Sequence, residues 1–374
     1  MPRPVEDESL ASWIDQVALE HGLVRGQAAG LLGLPRPASS EIIGVSQWMA
    51  EGCAEVADQV AAVTGLDPAC IRDMTFERYR GTAWRLGAAA RPISWLTSSW
   101  TRSIEHPDWI LRTGSHTCPQ CLADNGGRWL LRWRLPWVFL CPRHRCYLVD
   151  RCTCGTPLQW SQSLWADPCR GGRGCGSSCG VWAAQLPAVP VGDTRALATQ
   201  QLIQALLDGA ADPQRAVEIF VELHHMTRFV LYLAESAALE QVGADGAVVE
   251  RFARSCAERD EAAAVAGQAF WGLRDYVPPP LLAAGAVRLA ADVVFADDLE
   301  AQLARLLATA RWTAPRDWAR WDRFTVIWAG TPRLREALSS TGFPVSKAMD
   351  YYSAAIALRW RRGLRQAELG LPVG

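Results

Sequence analysis

Cys118 and Cys121 in "CPQC", and Cys141 and His144 in "CPRH", are spaced as metal ligands in two tight turns. Zinc takes four tetrahedral nitrogen or sulfur donors, and two turns that supply two donors each meet that need. The set predicts a Cys3His structural zinc ribbon. A second set follows: Cys152 and Cys154 in "RCTCG", then Cys175 and Cys179 in "GCGSSCG". Its gaps of one and three residues are looser than the usual two, so Cys169 is an alternative for one of these positions. Cys146 reads as a bystander, as do Cys53, Cys70 and Cys256, which sit in helical contexts as small apolar residues. Nine of the twelve cysteines fall between Cys118 and Cys179.

Catalytic zinc keeps an open position for water, usually beside a carboxylate. Both sets here are complete with four protein donors, so the expectation is two structural Zn2+ ions per chain. They would close a Gly-rich region too poor in regular structure to hold a core unaided. Seven thiolates and two dications leave about −3 in formal charge, which accounts in part for nearby arginines. Other chemistries lack their residues. Lys347 is the only lysine and lies outside any GxxxxGK[ST], which excludes a P-loop. There is no GxGxxG, and "ELHHM" is not HExxH, so His224 and His225 read as structural or surface residues on a helix. The expectation is a protein without an enzymatic activity.

The elements that must position these ligands are mainly helical. "EDESLASWIDQVALEHGL" carries Leu10, Trp13, Ile14 and Val17 at i, i+3, i+4 and i+7, with Gly22 as its stop. A short helix ends at Gly33 and Pro35. Val56, Val60 and Val63 mark another, followed by "TGLDP", where Asp67 suits an N-cap and Pro68 the first helical position. That outline is a helix-turn-helix. Residues 112–182 lose the helical period, and "WLLRW" and "WVFL" read as strands. The period returns near Thr194, with Leu202, Ile203, Leu206 and Leu207 on one side, and continues over 216–236 and 246–270. "VPPP" at 277–280 reads as a break, and Trp318, Trp321, Phe324 and Trp328 as a packed aromatic stripe. The fold class expected is mainly α with small β zinc ribbons. Its domains are 1–110 (helical, with the helix-turn-helix), 111–185 (tandem ribbons) and 194–374 (helical).

The 374 residues suffice for two or three domains. No apolar run approaches the roughly 18 residues of a membrane span, and "MPRPVEDES" is no secretory signal. A cytoplasmic location is expected, where thiols stay reduced and metal binding outweighs disulfides. The formal net charge of −1 conceals an asymmetry: Arg72 to Arg173 holds 15 Arg against 7 Asp or Glu. In "RWLLRWR", Arg128, Arg132 and Arg134 would share one face of a strand, with Trp129 and Trp133 on the other. Such a face could meet phosphate. "RWRRGLRQ", with Arg359, Arg361 and Arg362, is a second candidate nucleic-acid patch.

Taken together, "ESLASW" and "CPQCLADN…RWLLRW…LPWVFLCPRHRCYLVDRCTCG" resemble the TniQ family of transposition proteins. The family pattern runs from an ES-x-x-SW helix through CPxC, an Arg/Trp-rich segment and CPxH to L-x-D-x-C-x-x-CG. The similarity covers about residues 5–180. One departure is that Cys152 and Cys154 are separated by a single residue where the family has two. The resemblance implies a non-enzymatic adaptor related to the TnsD target selector. It would link target-site recognition, on DNA or by an RNA-guided CRISPR complex, to an AAA+ ATPase regulator of the TnsC/TniB kind. Homodimerisation is also implied. The alternative is a stand-alone sequence-specific DNA-binding protein, for attachment-site targeting or transcription regulation. A zinc-dependent nuclease or hydrolase is a third, weaker reading. About 190 residues beyond the ribbons favour the adaptor, since the family's attachment-site binders carry longer C-terminal extensions.

Overall fold

A computed structural model describes residues 1–34, 53–79, 82, 115–158, 169, 179–266, 278–309 and 332–341. Among these the chain is mostly helical, with one two-stranded sheet. Helix α1 is Leu10–Glu20; the Ser9 hydroxyl caps it by accepting from the Ser12 amide, and Leu10, Trp13, Ile14 and Val17 are fully buried. Gly22 ends it in the left-handed region (φ 64°), where a side chain would be strained. Helix α2 (Arg25–Leu31) packs on α1. Helices α3 (Cys53–Thr64) and α4 (Pro68–Asp73) form the expected hairpin, with Asp67 accepting from the Ala69 amide. At six residues, α4 is only about 9 Å long.

The middle of the chain is less strand-like than its sequence suggests. Helix α5 (Pro119–Asp124) starts at Cys118. "LRWR", Leu131–Arg134, is a turn of 3-10 helix and not part of a strand. The sheet pairs β1 (Leu140–Cys141) with β2 (Cys146–Tyr147), Leu140 opposite Tyr147 and Cys141 opposite Cys146. Helix α6 (Thr194–Leu207) buries Ile203, Leu206 and Leu207, whereas Leu202, expected beside them, is exposed. A buried glutamine takes part in α6's packing instead. Gln200 Oε1 accepts from the Phe139 and Leu140 amides at 2.8 and 3.2 Å, and its Nε2 donates to Trp137 O at 3.2 Å. Gln200→Leu leaves two buried amides unpaired, each worth about 1–3 kcal/mol. Denaturant melts should show a loss of roughly 2–5 kcal/mol, while Gln200→Glu, which keeps an acceptor, loses less.

The chain divides into two compact units. The first unit is Met1–Val217 with Gly243–Gly285. It holds α1 to α6, the sheet and α9 (Gly246–Ala266). The N-terminal helices and the cysteine-rich segment belong to one body because the backbone joins them: Ser9 N–H donates to Trp129 O (2.9 Å) and Leu131 N–H to Asp7 O (2.7 Å). Asp245, ahead of α9, accepts from the Tyr147 hydroxyl at 2.8 Å and from the Gly192 and Asp193 amides at 3.0 and 3.1 Å.

The second unit is Glu218–Val242 with Ala286–Gly374. Most of α7 (Pro213–Leu233), α8 (Ser236–Gln241), the latter half of α10 (Pro280–Val294), α11 (Leu299–Thr309) and α12 (Pro332–Ser340) lie in it. Arg288 is buried and donates to Val242 O, and Arg333 donates to Val294 O, both at 2.8 Å. His224 and His225 stand on α7 with their rings edge to face. The stripe Trp318, Trp321, Phe324 and Trp328 lies outside the described residues. No described helix is long and apolar enough to cross a membrane.

Candidate metal centres

The first centre is assembled by α5 and the turn between β1 and β2. Pro119 begins α5, which puts the Cys118 sulfur at the cap position, accepting from the Cys121 amide at 3.5 Å. Cys141 ends β1 and His144 lies in the β1–β2 turn, where Arg145 takes a positive φ of 48° to close it. The three sulfurs and His144 Nδ1 all lie within 4.8 Å of one another. Nδ1 stands 3.3, 3.2 and 3.6 Å from the sulfurs of Cys118, Cys121 and Cys141, and the last two sulfurs are 3.6 Å apart. Zinc with tetrahedral angles would set sulfur–sulfur edges of about 3.8 Å and sulfur–nitrogen edges of about 3.5 Å. The donor set therefore has the size that a zinc ion needs.

Polar packing around the site supports the same conclusion. His144 Nε2 is 3.0 Å from Asp124 Oδ2, which fixes the Nε2–H tautomer and turns the Nδ1 lone pair toward the sulfurs. Asp124 is in turn paired with Arg143 at 2.8 Å. Without a cation the thiols compete for charge. Hydrogen bonds from Cys121, Cys141 and Cys146 pull the Cys118 thiol down, and crowding against Cys118 pushes Cys121 and Cys146 up. A dication would let the ligand sulfurs ionise together. Asp124→Asn keeps the shape but weakens the carboxylate's hold on Nε2–H. Competition with a chromophoric chelator should then show about 10- to 100-fold weaker metal binding, with the fold unchanged.

The second centre gathers Cys152, Cys154, Cys169 and Cys179, again within 4.8 Å of one another. Cys152 and Cys179 sulfurs are 3.5 Å apart, and those of Cys154 and Cys169 3.7 Å apart. Cys169, the alternative that the spacing left open, is one of the four, and Cys175 lies outside the described residues. The reason is a backbone pairing that no spacing announces: Cys169 N–H donates to Val181 O and Gly180 N–H to Cys169 O, at 2.9 and 3.0 Å. This clasp sets Cys169 beside Cys179. The single-residue gap between Cys152 and Cys154 is met by a turn in which Cys152 N–H donates to Thr156 O, with Gly155 at φ 82°. The Thr156 hydroxyl, 3.1 Å from the Cys154 sulfur, lowers that thiol to about 6. The cysteines of both centres, and Cys146, are free of disulfides.

The arginines of "RWLLRWR" are turned inward. Arg128 pairs with buried Glu8 at 2.7 Å and donates to Arg3 O. Arg132 pairs with buried Asp7, and Asp208 Oδ1 is 3.6 Å away. Arg134, 3% exposed, lies over the Phe76 ring at 5.3 Å, and burial pushes its guanidinium well below the usual range. A strand would have put all three on one face; the 3-10 turn disperses them. Arg359, Arg361 and Arg362 lie outside the described residues. The residues that sequence reasoning missed are Asp7, Glu8 and Asp124. Asp124 was detectable, since it lies one helical turn after Cys121. Glu8 and Ser9 open the ES-x-x-SW motif, and their packing on residues 128–132 gives that motif its physical meaning. Glu8 also accepts from the Ser12 hydroxyl and the Val5 amide.

This joint between the N-terminal helix and the first centre falls within residues 1–148, which match the TniQ family model. Residues 1–148 form a TniQ domain. The match agrees with the resemblance read from the motifs, and TniQ is a family of transposition-associated adaptors. The match includes all four donors of the first centre and stops short of Cys152. No curated protein is matched by the chain.

Proposed function

We propose that this TniQ protein is a non-enzymatic adaptor in DNA transposition, joining a target-recognition component to an AAA+ ATPase regulator. The observation that carries the reading is the TniQ domain itself, with its helical N-terminus bonded into a four-donor metal centre. Both centres would hold zinc structurally. Cys118, Cys121, Cys141 and His144 would bind one ion, and Cys152, Cys154, Cys169 and Cys179 the other. The metal supplies cross-linking; with four protein donors in each set, no coordination position is left for a substrate. What the protein's own residues do is fix surfaces: Asp7, Glu8, Arg128 and Arg132 lock the helices to the first centre.

The target component is a DNA-bound factor or an RNA-guided complex, and a dimer of this chain would fit the role. Co-purification with the AAA+ ATPase encoded beside it tests the reading. ATP-dependent capture by the wild-type chain is expected, and no association with or without ATP would overturn it. The stand-alone DNA-binding reading draws on the α3–α4 hairpin alone. Its six-residue second helix, flanked by Asp67 and Asp73, gives that reading less support than the domain gives the adaptor. A specific footprint from the purified protein with no partner would reverse this ranking.

A further inference from the structure

The first centre contains more donors than a zinc ion uses. Cys146 is the residue directly across the β1–β2 ladder from the ligand Cys141. Its sulfur lies 3.6 Å from that of Cys118, the same separation as between Cys121 and Cys141, which both belong to the four-donor set. It is 4% exposed, whereas His144 is paired with an exposed carboxylate, that of Asp124. A small apolar core residue needs no such contact; valine or alanine would fill a place in a two-stranded ladder equally well.

We propose that Cys146 is a reserve ligand of the first centre, able to complete a four-thiolate set with Cys118, Cys121 and Cys141 when His144 is withdrawn. The inference rests on the metal reading above. With His144 bound, the Cys146 thiol is an S–H neighbour of the Cys118 thiolate. When the imidazole leaves, the ion shifts toward the sheet, the Cys146 S–H releases its proton to solvent, and the thiolate becomes the fourth ligand. The class of ion favoured by such a set is a thiophilic dication, zinc or cadmium. The centre would then keep its metal through an event that removes His144.

A double-mutant cycle on the full chain tests this, with Co2+ and Cd2+ as probes. Fitted metal affinity, cobalt absorption and cadmium NMR shift are read for wild type, His144→Ala, Cys146→Ser and the double variant. Wild type should show a three-sulfur, one-nitrogen signature at the first centre, and Cys146→Ser the same. His144→Ala should keep two metals per chain and move that signature to four sulfurs. The double variant should bind at the first centre at least about a hundredfold more weakly than either single variant, a non-additivity that independent sites do not give. A His144→Ala protein as metal-poor as the double variant overturns the proposal, whether or not it stays folded. So does one that keeps its metal with no change when Cys146 is also removed. If wild type itself binds no metal at Cys118, Cys121 and Cys141, the metal reading fails, and the proposal fails with it for that separate reason.

Discussion

Cys121→Ser is expected to leave one metal ion per chain instead of two and to unfold the first unit. Structural zinc in small sites contributes on the order of 10–16 kcal/mol to folding, against a typical domain stability of about 5–15 kcal/mol. Regular secondary structure around the first centre is sparse. Its sheet has four residues, and the segment from Gly126 to Val138 contains one turn of 3-10 helix. Elemental analysis and far-UV circular dichroism on the purified variant check the prediction. A strong chelator should do the same to the wild-type chain, and added zinc should reverse it. A folded Cys121→Ser protein with an unchanged melting curve would show that the sulfurs only fill space. Cys152→Ser is expected to be milder, because its site lies beyond the TniQ domain and closes the loop to Cys179 and not the core.

Arg132→Ala should cost about 3–5 kcal/mol, because it strands a buried charge. Asp7 is nearly inaccessible, and burial pushes its carboxyl above the usual range although Arg132 and Arg78 lie beside it. The Tyr79 hydroxyl donates to Asp7 at 3.0 Å, and Asp7 itself holds a positive φ of 60°, so the carboxylate cannot easily turn toward water. Arg78 is 3.9 Å from Asp7 and compensates only in part. The double variant Asp7→Asn with Arg132→Met should recover much of the loss, since a buried pair removed whole is far cheaper than one broken. Chemical denaturation of the three variants reads this directly. Nucleic-acid binding measured across salt concentrations gives an independent check. If Arg132 met phosphate, its loss would flatten the salt dependence and leave stability unchanged; the ion pair predicts the reverse.

These two expectations divide what could be read from the chain itself from what could not. Spacing was enough to group Cys118, Cys121, Cys141 and His144 as candidate donors, because a donor set built from two tight turns is local in sequence and each turn dictates its own geometry. The helix Leu10–Glu20 and the Asp67 cap were legible for the same reason: a 3.6-residue period and a cap need only neighbours. The order of the motifs identified the TniQ family. Tertiary structure decided the rest. Cys169 joins the second set through backbone bonds to residues 180 and 181, eleven and twelve positions away, which no short spacing encodes. Arg128 and Arg132 are drawn inward by Glu8 and Asp7, more than a hundred residues earlier in the chain. A charge in a sequence looks the same whether it will face solvent or a buried carboxylate. Only the fold brings the partner, and the cost of leaving a buried acid unpaired then settles where the arginine goes.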